Sequence, residues 1–201
     1  MAFGVGSLDD DVIGQGSAAA LVDLSGVLVQ GGMHLATYYS TEEGRLRIAA
    51  PFLREGLSSG QPCFLIASGE VLDRYVEALE EGLTAELAEA RRRGLFVTAP
   101  APGRTVEEAL AFWNQSIWDA LSHGTHPPVV RIVGDMACVK SSFATVQQML
   151  VFERLVGAVI KSFPAVAVCQ YDVREFDGAS LLEAMKAHPD VSALGFDKFV
   201  T

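Results

Sequence analysis

The sequence is short of cysteine, of basic residues and of long apolar runs, and each shortage excludes a class of protein. The three cysteines of the 201-residue chain, Cys63, Cys138 and Cys169, are far apart in apolar surroundings, so we expect reduced thiols and no disulfide framework. The 25 acidic residues outnumber 15 basic ones, which gives a formal net charge of -10. Such a field repels polyanions, so neither direct nucleic-acid binding nor an anionic membrane is expected.

Targeting and membrane segments are not expected either. The N-terminal residues have no basic segment ahead of an apolar run, so they do not form a signal peptide. The most apolar window, Leu155 to Cys169, is interrupted by Lys161 and Pro164 and falls short of the roughly 20 apolar residues that a membrane-spanning helix needs. We therefore expect a cytoplasmic protein with no membrane partner.

Signature motifs of nucleotide-binding and hydrolytic enzymes are absent. The phosphate-binding motif GxxxxGK[ST] is missing, the junction after the first strand contains Glu42 and Glu43, and the first lysine of the chain is Lys140. GxGxxG, GxSxG and HExxH are missing too. The histidines His123 and His126 precede two prolines in a loop, where solvated side chains are more common than a metal site. We expect no catalytic motif, no cofactor and no metal site.

Strand and helix patterns alternate along most of the chain. Strand patterns lie at 34–39, 62–67, 95–98, 129–136 and 166–171, and helix patterns at 41–60, 70–93, 105–121, 143–163 and 180–188. The short, continuously apolar strands are typical of a sheet buried on both faces. The sequence therefore predicts an α/β fold, with a mostly parallel sheet of about five or more strands and helices on both faces.

Two parts of the chain differ in composition. Residues 1–31 are rich in Gly, Ser and Ala and are predicted to be an N-terminal extension, a candidate for a contact with a partner or within a homodimer. Residues 32–201 show no internal repeat and no charged linker, so we expect them to form one domain.

Glu153 is an acidic residue on the apolar face of a predicted helix. The helix that contains it has a solvent stripe at Gln147, Arg154 and Lys161, whereas the helical neighbours of Glu153 are apolar, so Glu153 points at the core. A buried carboxylate must be paired or protonated. Arg131, a basic residue within an apolar strand, is the candidate partner. One interpretation is a structural Arg131–Glu153 ion pair. The other is that one or both line a ligand pocket and bind a polar headgroup.

The carboxyl ends of the predicted strands are the expected place for a ligand, because open parallel sheets bind ligands there. Polar, aromatic and small residues follow these strands at 38–40, 67–69, 99–100, 134–136 and 171–172. Their mixture suits a pocket for a small molecule.

Several short motifs, in this order and spacing, resemble one family. They are His34 with Tyr38-Tyr39 in the first strand, PFLREGLSSGQPCFLIAS at 51–68, RIVGDM at 131–136, FER at 152–154, CQYD at 169–172 and His188-Pro189. Over about residues 32–190 the chain resembles the MEDS domain, a sensory relative of KaiC and RecA-like ATPases that has lost its phosphate loop. Ala36 stands where members of that family often have a cysteine, so no thiol at that position takes part in sensing here.

The resemblance implies a sensory domain of a prokaryotic signalling system that recognises small organic compounds such as hydrocarbon derivatives. MEDS domains also occur fused to histidine kinases, helix-turn-helix regulators or anti-sigma-type kinases. We therefore expect this chain to signal through a partner such as a histidine kinase, an anti-sigma-type kinase or a transcription regulator. The candidate recognition residues that the resemblance implies are His34, Tyr39, Arg131, Asp135, Glu153, Tyr171, Asp172 and His188.

Two other functions remain open at this point. The first is a small-molecule enzyme that uses Cys169, His34 or Glu153 in the same pocket. The second is a purely structural interaction protein, which would have a filled, dry core at the strand ends. A vestigial nucleotide site is a third alternative, opposed by the two glutamates at 42 and 43.

Overall fold

The structure is a computed structural model that describes residues 21–123 and 129–201. The loop pair His123 and His126 lies outside the described side chains. The strands are β1 (Leu21–Leu24), β2 (Val27–Gln30), β3 (His34–Tyr39), β4 (Cys63–Ile66), β5 (Phe96–Ala99), β6 (Val130–Asp135) and β7 (Ala165–Asp172). The helices are α1 (Glu42–Ser58), α2 (Gly69–Glu80), α3 (Thr84–Arg92), α4 (Val106–His123), α5 (Met136–Lys140), α6 (Val146–Lys161), α7 (Gly178–Ala187) and α8 (Pro189–Leu194), before a 3-10 helix at Phe196–Phe199.

Five strands form one parallel sheet in the order β3-β7-β6-β4-β5. Every residue of β3, β4, β6 and β7 is buried, as their continuous apolar runs predict for a sheet covered on both sides. The predicted α/β class with a mostly parallel sheet is confirmed. Among the described helices, none is both long and apolar enough to cross a membrane.

Side-chain alternation along each strand sorts the residues of the sheet between two faces. The register aligns His34 with Ala167 and Ala167 with Ile132, and these three side chains share the face covered by α4 and α6. Arg131 precedes Ile132 and therefore points to the other face, where it contacts α1 at Gly56. This division decides which buried polar residues can meet.

The described part of the predicted N-terminal extension is a β-hairpin. Strands β1 and β2 are antiparallel, and their two-residue loop has positive φ at both Ser25 (53°) and Gly26 (86°), as a type I′ turn requires. The hairpin buries Val22, Leu24 and Val29 in the core shared with the sheet. A partner or dimer contact by residues 1–31 stays a prediction.

Candidate functional site

The predicted recognition residues form two separate buried groups and two outlying positions. On the α6 face, His34, Glu153 and His188 come together with Cys169; we call these four residues the histidine cluster. On the α1 face, Tyr39 and Asp135 belong to a different network, described below. Tyr171 contacts the histidine cluster, whereas Arg131 and Asp172 have partners elsewhere.

The histidine cluster is assembled from four elements. His34 is the first residue of β3, Glu153 lies in the middle of α6, Cys169 is on β7, and His188 joins α7 to α8. His34 Nε2 lies 3.2 Å from Cys169 Sγ and 3.1 Å from His188 Nε2. Glu153 Oε2 lies 3.1 Å from His188 Nε2 and 3.8 Å from His34 Nε2. All four residues are buried, so the cluster is shielded from bulk water.

Two outer hydrogen bonds orient the cluster. His188 Nδ1 lies 2.7 Å from the carbonyl oxygen of Ala184, which can only accept, so Nδ1 carries a proton and donates it. With Nδ1 protonated, a neutral His188 imidazole keeps its electron pair on Nε2, whereas an imidazolium donates its Nε2 proton to Glu153 Oε2 at 3.1 Å. Tyr171 donates its hydroxyl proton to Glu153 Oε2 at 3.0 Å. Cys169 and Tyr171 reach the same helix because they are two residues apart on β7.

The electrostatics of the cluster follow from burial and proximity. Burial and the neighbouring His188 lower the pKa of His34 to about 3, and they outweigh the opposite effect of the Glu153 carboxylate. Burial would raise the pKa of Glu153, but the hydrogen bond from His188 and the two imidazoles lower it below its usual range. Burial, reinforced by Glu153, raises the pKa of the Cys169 thiol well above its usual value. A neutral His34 and an ionised Glu153 are the forms that can donate electron pairs.

A narrow apolar cavity adjoins the histidine cluster. It measures about 20 Å³ and lies between the sheet and helices α4 and α6. Its lining residues with polar or ionisable side chains include His34, Glu153 and Cys169, and the rest of the wall is mainly apolar. The apolar wall includes Ile66, Trp113, Ile132, Gly134, Met136, Phe152 and Val156. Through Ile66, Gly134 and Met136 the cavity reaches the carboxyl ends of β4 and β6.

The second buried network lies at the carboxyl ends of β3 and β6, on the α1 face. Tyr39 donates its hydroxyl proton to Asp135 Oδ2 at 2.9 Å and accepts one from Arg45 Nε at 3.1 Å. Tyr75 donates to Gln170, whose amide nitrogen donates to the carbonyl oxygen of Arg45 at 2.9 Å. Burial, followed by the Asp135 charge, raises the pKa of Tyr39 far above its usual value. This network is fully hydrogen-bonded and fixes the start of α1 against the strand ends.

The interpretation of Arg131 and Glu153 as a structural ion pair is wrong. Arg131 donates to Glu55 Oε2 at 2.8 Å, to Gln61 Oε1 at 2.7 Å and to the carbonyl oxygen of Phe52 at 2.7 Å. The two charges are separated by the sheet, because position 131 of β6 points toward α1 whereas α6 covers the opposite face. Glu153 does point at the core, as its apolar neighbours indicated, but its partners are histidines.

Asp172 and the start of α1 have local partners. Asp172 accepts two hydrogen bonds from the Arg174 guanidinium, at 2.8 and 2.6 Å. These hydrogen bonds lower the pKa of Asp172 below its usual value. At the start of α1, where a phosphate loop would end, Thr41 Oγ1 accepts from the Gly44 amide at 3.0 Å. Thr201 packs against Gly44, whose carbonyl oxygen accepts from the Thr201 hydroxyl at 2.9 Å.

Several participating residues carried weak signals or none in the sequence. From the sequence, Cys169 is a reduced thiol in apolar surroundings or, in the enzyme alternative, a nucleophile, and it joins the cluster because it faces α6. Arg45, Tyr75 and Gln170 were not expected in a site. Gln170 offered one signal, since an amide inside an apolar strand needs buried hydrogen-bond partners. Arg45 offered none, because its position in α1 resembles that of an ordinary surface arginine.

Comparisons with known proteins identify a family and a curated relative. The family model named MEDS, for MEthanogen/methylotroph, DcmR Sensory domain, matches residues 33–189. The transcriptional repressor DcmR of Methylorubrum extorquens is 30% identical over 173 residues, which cover 86% of this chain and 64% of the repressor. The chain thus spans slightly less than two thirds of that curated relative's length.

A solved structure shows the fold at much lower sequence identity. The crystal structure of the flagellar accessory protein FlaH from Methanocaldococcus jannaschii superposes with a TM-score of 0.57 at 9% identity, covering 85% of this chain and 77% of FlaH. This likeness concerns the fold alone and confirms the predicted RecA/KaiC-like class. Because the family model covers most of the sequence, the chain belongs to the MEDS family of sensory domains.

Proposed function

We propose that this domain is the ligand-binding module of a prokaryotic signalling system. It binds a small organic molecule in the apolar cavity between the sheet and α6 and acts through a partner protein that regulates transcription. The observation that carries the proposal is the cavity itself, which has an apolar wall and a polar end formed by His34, Glu153 and Cys169. Small-molecule sites commonly combine a mainly apolar lining with a few convergent polar groups.

The size of the cavity suggests how binding becomes a signal. A volume of about 20 Å³ holds about one water molecule, so an organic ligand enters only when a covering helix moves. Helix α6 is the best placed element, because it presents Glu153 to the cavity and Val151 and Leu155 to solvent. A ligand that binds only when α6 is displaced favours that conformation, and it therefore changes the surface that the partner protein contacts.

The nature of the partner is inferred from the family and from charge. A relative at 30% identity is a transcriptional repressor, which favours a transcription regulator over a histidine kinase or an anti-sigma-type kinase. The net charge of -10 disfavours direct binding to DNA by this domain, so the partner supplies the DNA contact. A partner that regulates transcription in a prokaryote acts in the cytoplasm, so the proposal includes a cytoplasmic location for this protein.

Native mass spectrometry of the purified full chain, repeated after denaturation, tests the proposal. We expect a small organic molecule to be released from the wild type. Gly134→Ala is the test variant, since a Cβ at this cavity-lining glycine meets only Met136 Sδ at 3.8 Å and so fills space without a clash. Gly178→Ala is the control, because a Cβ there meets nothing within 4 Å.

The two variants separate binding from folding. Both should keep the wild-type circular dichroism spectrum, and Gly134→Ala alone should lose the molecule. A wild type that carries nothing, and whose melting temperature is unchanged by short hydrocarbon derivatives, would favour the purely structural interaction protein, since a ligand stabilises the folded state it binds.

We also propose that the domain is not an enzyme. Among the residues that the structure describes, a thiol and an imidazole meet at Cys169 and His34, whose Sγ and Nε2 atoms are 3.2 Å apart. Burial raises the pKa of that thiol well above its usual value, which disfavours the reactive thiolate. Alkylation with iodoacetamide at pH 7.5 should therefore leave Cys169 unmodified in the folded protein. Rapid alkylation of Cys169 ahead of Cys63 and Cys138 would support the enzyme alternative.

A further inference from the structure

We propose that His34, Glu153, Cys169 and His188 bind a single zinc ion. Each residue offers one ligand atom, and these four atoms lie within 4.8 Å of one another. The donors are two imidazole nitrogens, one sulfur and one carboxylate oxygen, a combination typical of tetrahedral zinc sites. The inference goes beyond the proposed function, because it depends on neither the organic ligand nor the partner.

Four of the six distances between the ligand atoms are close to the edges of a zinc tetrahedron. With Zn–N bonds of about 2.0–2.1 Å and a Zn–S bond of about 2.3 Å, the edges of the tetrahedron are about 3.3 Å between nitrogens and about 3.6 Å from nitrogen to sulfur. The cluster has 3.1 Å between the two Nε2 atoms and 3.2 Å from His34 Nε2 to Cys169 Sγ. The carboxylate oxygen lies 3.1 and 3.8 Å from the two nitrogens. These four distances are within about 0.5 Å of the edges, and the two remaining ones, from Cys169 Sγ to Glu153 and to His188, are at most 4.8 Å, so the Cys169 side chain moves toward the other ligands when zinc binds.

The orientation of the electron pairs also calls for a cation. His188 donates its Nδ1 proton to Ala184, so its Nε2 electron pair points at Glu153 Oε2 and His34 Nε2. Without a cation, and with Glu153 ionised, the 3.1 Å contact between His188 Nε2 and Glu153 Oε2 requires a proton on His188 Nε2. It would also place an imidazolium and a carboxylate together in a fully buried site. A metal ion accepts all the converging electron pairs at once.

The charges balance when zinc is bound. Zinc coordinates the thiolate, so Cys169 loses its proton on binding, and Cys169 and Glu153 then contribute two negative charges against the two positive charges of the ion. The resulting site is neutral, which suits full burial. No oxidation or reduction is involved, because zinc has no redox chemistry in proteins.

The surroundings support the ligands as they do in established metal sites. Histidine ligands usually donate their second N–H to a carbonyl or carboxylate, and ligating carboxylates are themselves hydrogen-bonded. His188 meets the first condition through Ala184, and Glu153 meets the second through Tyr171. His34 also lines a surface groove together with Lys161 and Asp190, among others, so one residue of the cluster borders that groove.

The fold indicates a structural role for this ion. Four protein ligands fill the zinc tetrahedron, which is characteristic of structural sites, whereas catalytic sites keep a position for water. Because the ligands come from β3, α6, β7 and the α7–α8 junction, zinc links the C-terminal helices to the sheet.

Metal analysis of the full chain tests the proposal. The protein is prepared without a polyhistidine tag, its metal content is measured by inductively coupled plasma mass spectrometry, and the metal-free form is titrated with Zn²⁺ and with Co²⁺ as a spectroscopic probe. We expect one Zn²⁺ per chain, and a cobalt spectrum with tetrahedral d–d bands and a thiolate charge-transfer band. The absence of stoichiometric Zn²⁺ and Co²⁺ binding by the folded wild type overturns the proposal without any variant.

Variants locate the site. Cys169→Ser should abolish the thiolate band and weaken zinc binding at least about tenfold, and Tyr171→Phe should weaken it by about 10–100-fold. Cys138→Ser, a buried cysteine outside the cluster, and His126→Gln, from the loop pair, should bind zinc as the wild type does. A charge-transfer band that survives in Cys169→Ser, or disappears in Cys138→Ser, overturns the assignment. So does a loss of zinc in His126→Gln.

Discussion

Gly56 of α1 lies directly against the side chain of Arg131. A Cβ at position 56 would be 2.6 Å from Arg131 Cδ and 2.7 Å from Cys63 Sγ, both closer than real contacts allow. The absence of a side chain at Gly56 therefore lets the guanidinium lie beneath the helix, where the Phe52 carbonyl oxygen, Glu55 and Gln61 accept its hydrogen bonds.

Gly56→Ala should destabilise the protein, although alanine is the better helix former. The helix-propensity gain is at most about 1 kcal/mol, whereas overpacking a core typically costs about 1–3 kcal/mol. We expect a net loss in the free energy of unfolding of about 1–2 kcal/mol, measured by urea denaturation. Gly178→Ala, in the first turn of α7 with open space around it, should be neutral or slightly stabilising. Equal effects of the two substitutions would contradict this packing.

The partner of Arg131 can be tested by double-mutant cycles. Arg131→Met and Glu55→Gln should be coupled by about 0.5–2 kcal/mol, because the two side chains share an ion pair that is half open to solvent on the Glu55 side. Arg131→Met and Glu153→Gln should be additive within about 0.5 kcal/mol, because the sheet separates them and they share no partner. Strong coupling in the second cycle would restore the Arg131–Glu153 pair that the sequence suggested.

Patterns along the sequence predicted the strands of the sheet well, because the apolar residues that form each strand are consecutive in the sequence. The five runs of apolar residues match β3 to β7 closely, whereas the helix pattern at 70–93 is divided near Gly82 into α2 and α3. The burial of Glu153 could also be predicted from nearby residues, since its neighbours in the helix determine which way its side chain points.

Pairings between elements could not be predicted in the same way. Whether Arg131 meets Glu153 depends on which helix covers which face, and the alternation along β6 says only that positions 131 and 132 point apart. The histidine cluster likewise joins four elements that are distant in sequence. His34 and His188 are 154 residues apart and meet only because α7 and α8 return to the edge of β3.

Two substitutions on β3 should change stability in opposite directions. Tyr39→Phe removes the hydroxyl that donates to Asp135 and accepts from Arg45, so we expect a loss of about 1–2 kcal/mol in the free energy of unfolding. Thr37 lies two residues earlier on the same face, and its buried hydroxyl has no hydrogen-bond partner among the described residues. Thr37→Val should therefore be neutral or stabilising by up to about 1 kcal/mol. Urea denaturation of both variants measures the difference, and a stabilised Tyr39→Phe protein would contradict the network.

Removal of zinc should lower the melting temperature of the wild type. An ion that binds the folded state alone stabilises it by RT ln(1 + [L]/Kd), about 2.7 kcal/mol when the free concentration is 100 times Kd. For a chain of this size that energy corresponds to about 5–10 °C. Scanning calorimetry with a chelator, and then with zinc restored, should show the loss and its recovery. Cys138→Ser should show the same shift, whereas Cys169→Ser should show a much smaller one. If the chelator removed one bound zinc ion and the wild-type melting temperature did not change, the ion would lie outside the folded core. An ion that links β3, α6, β7 and the α7–α8 junction cannot leave without loosening their contacts.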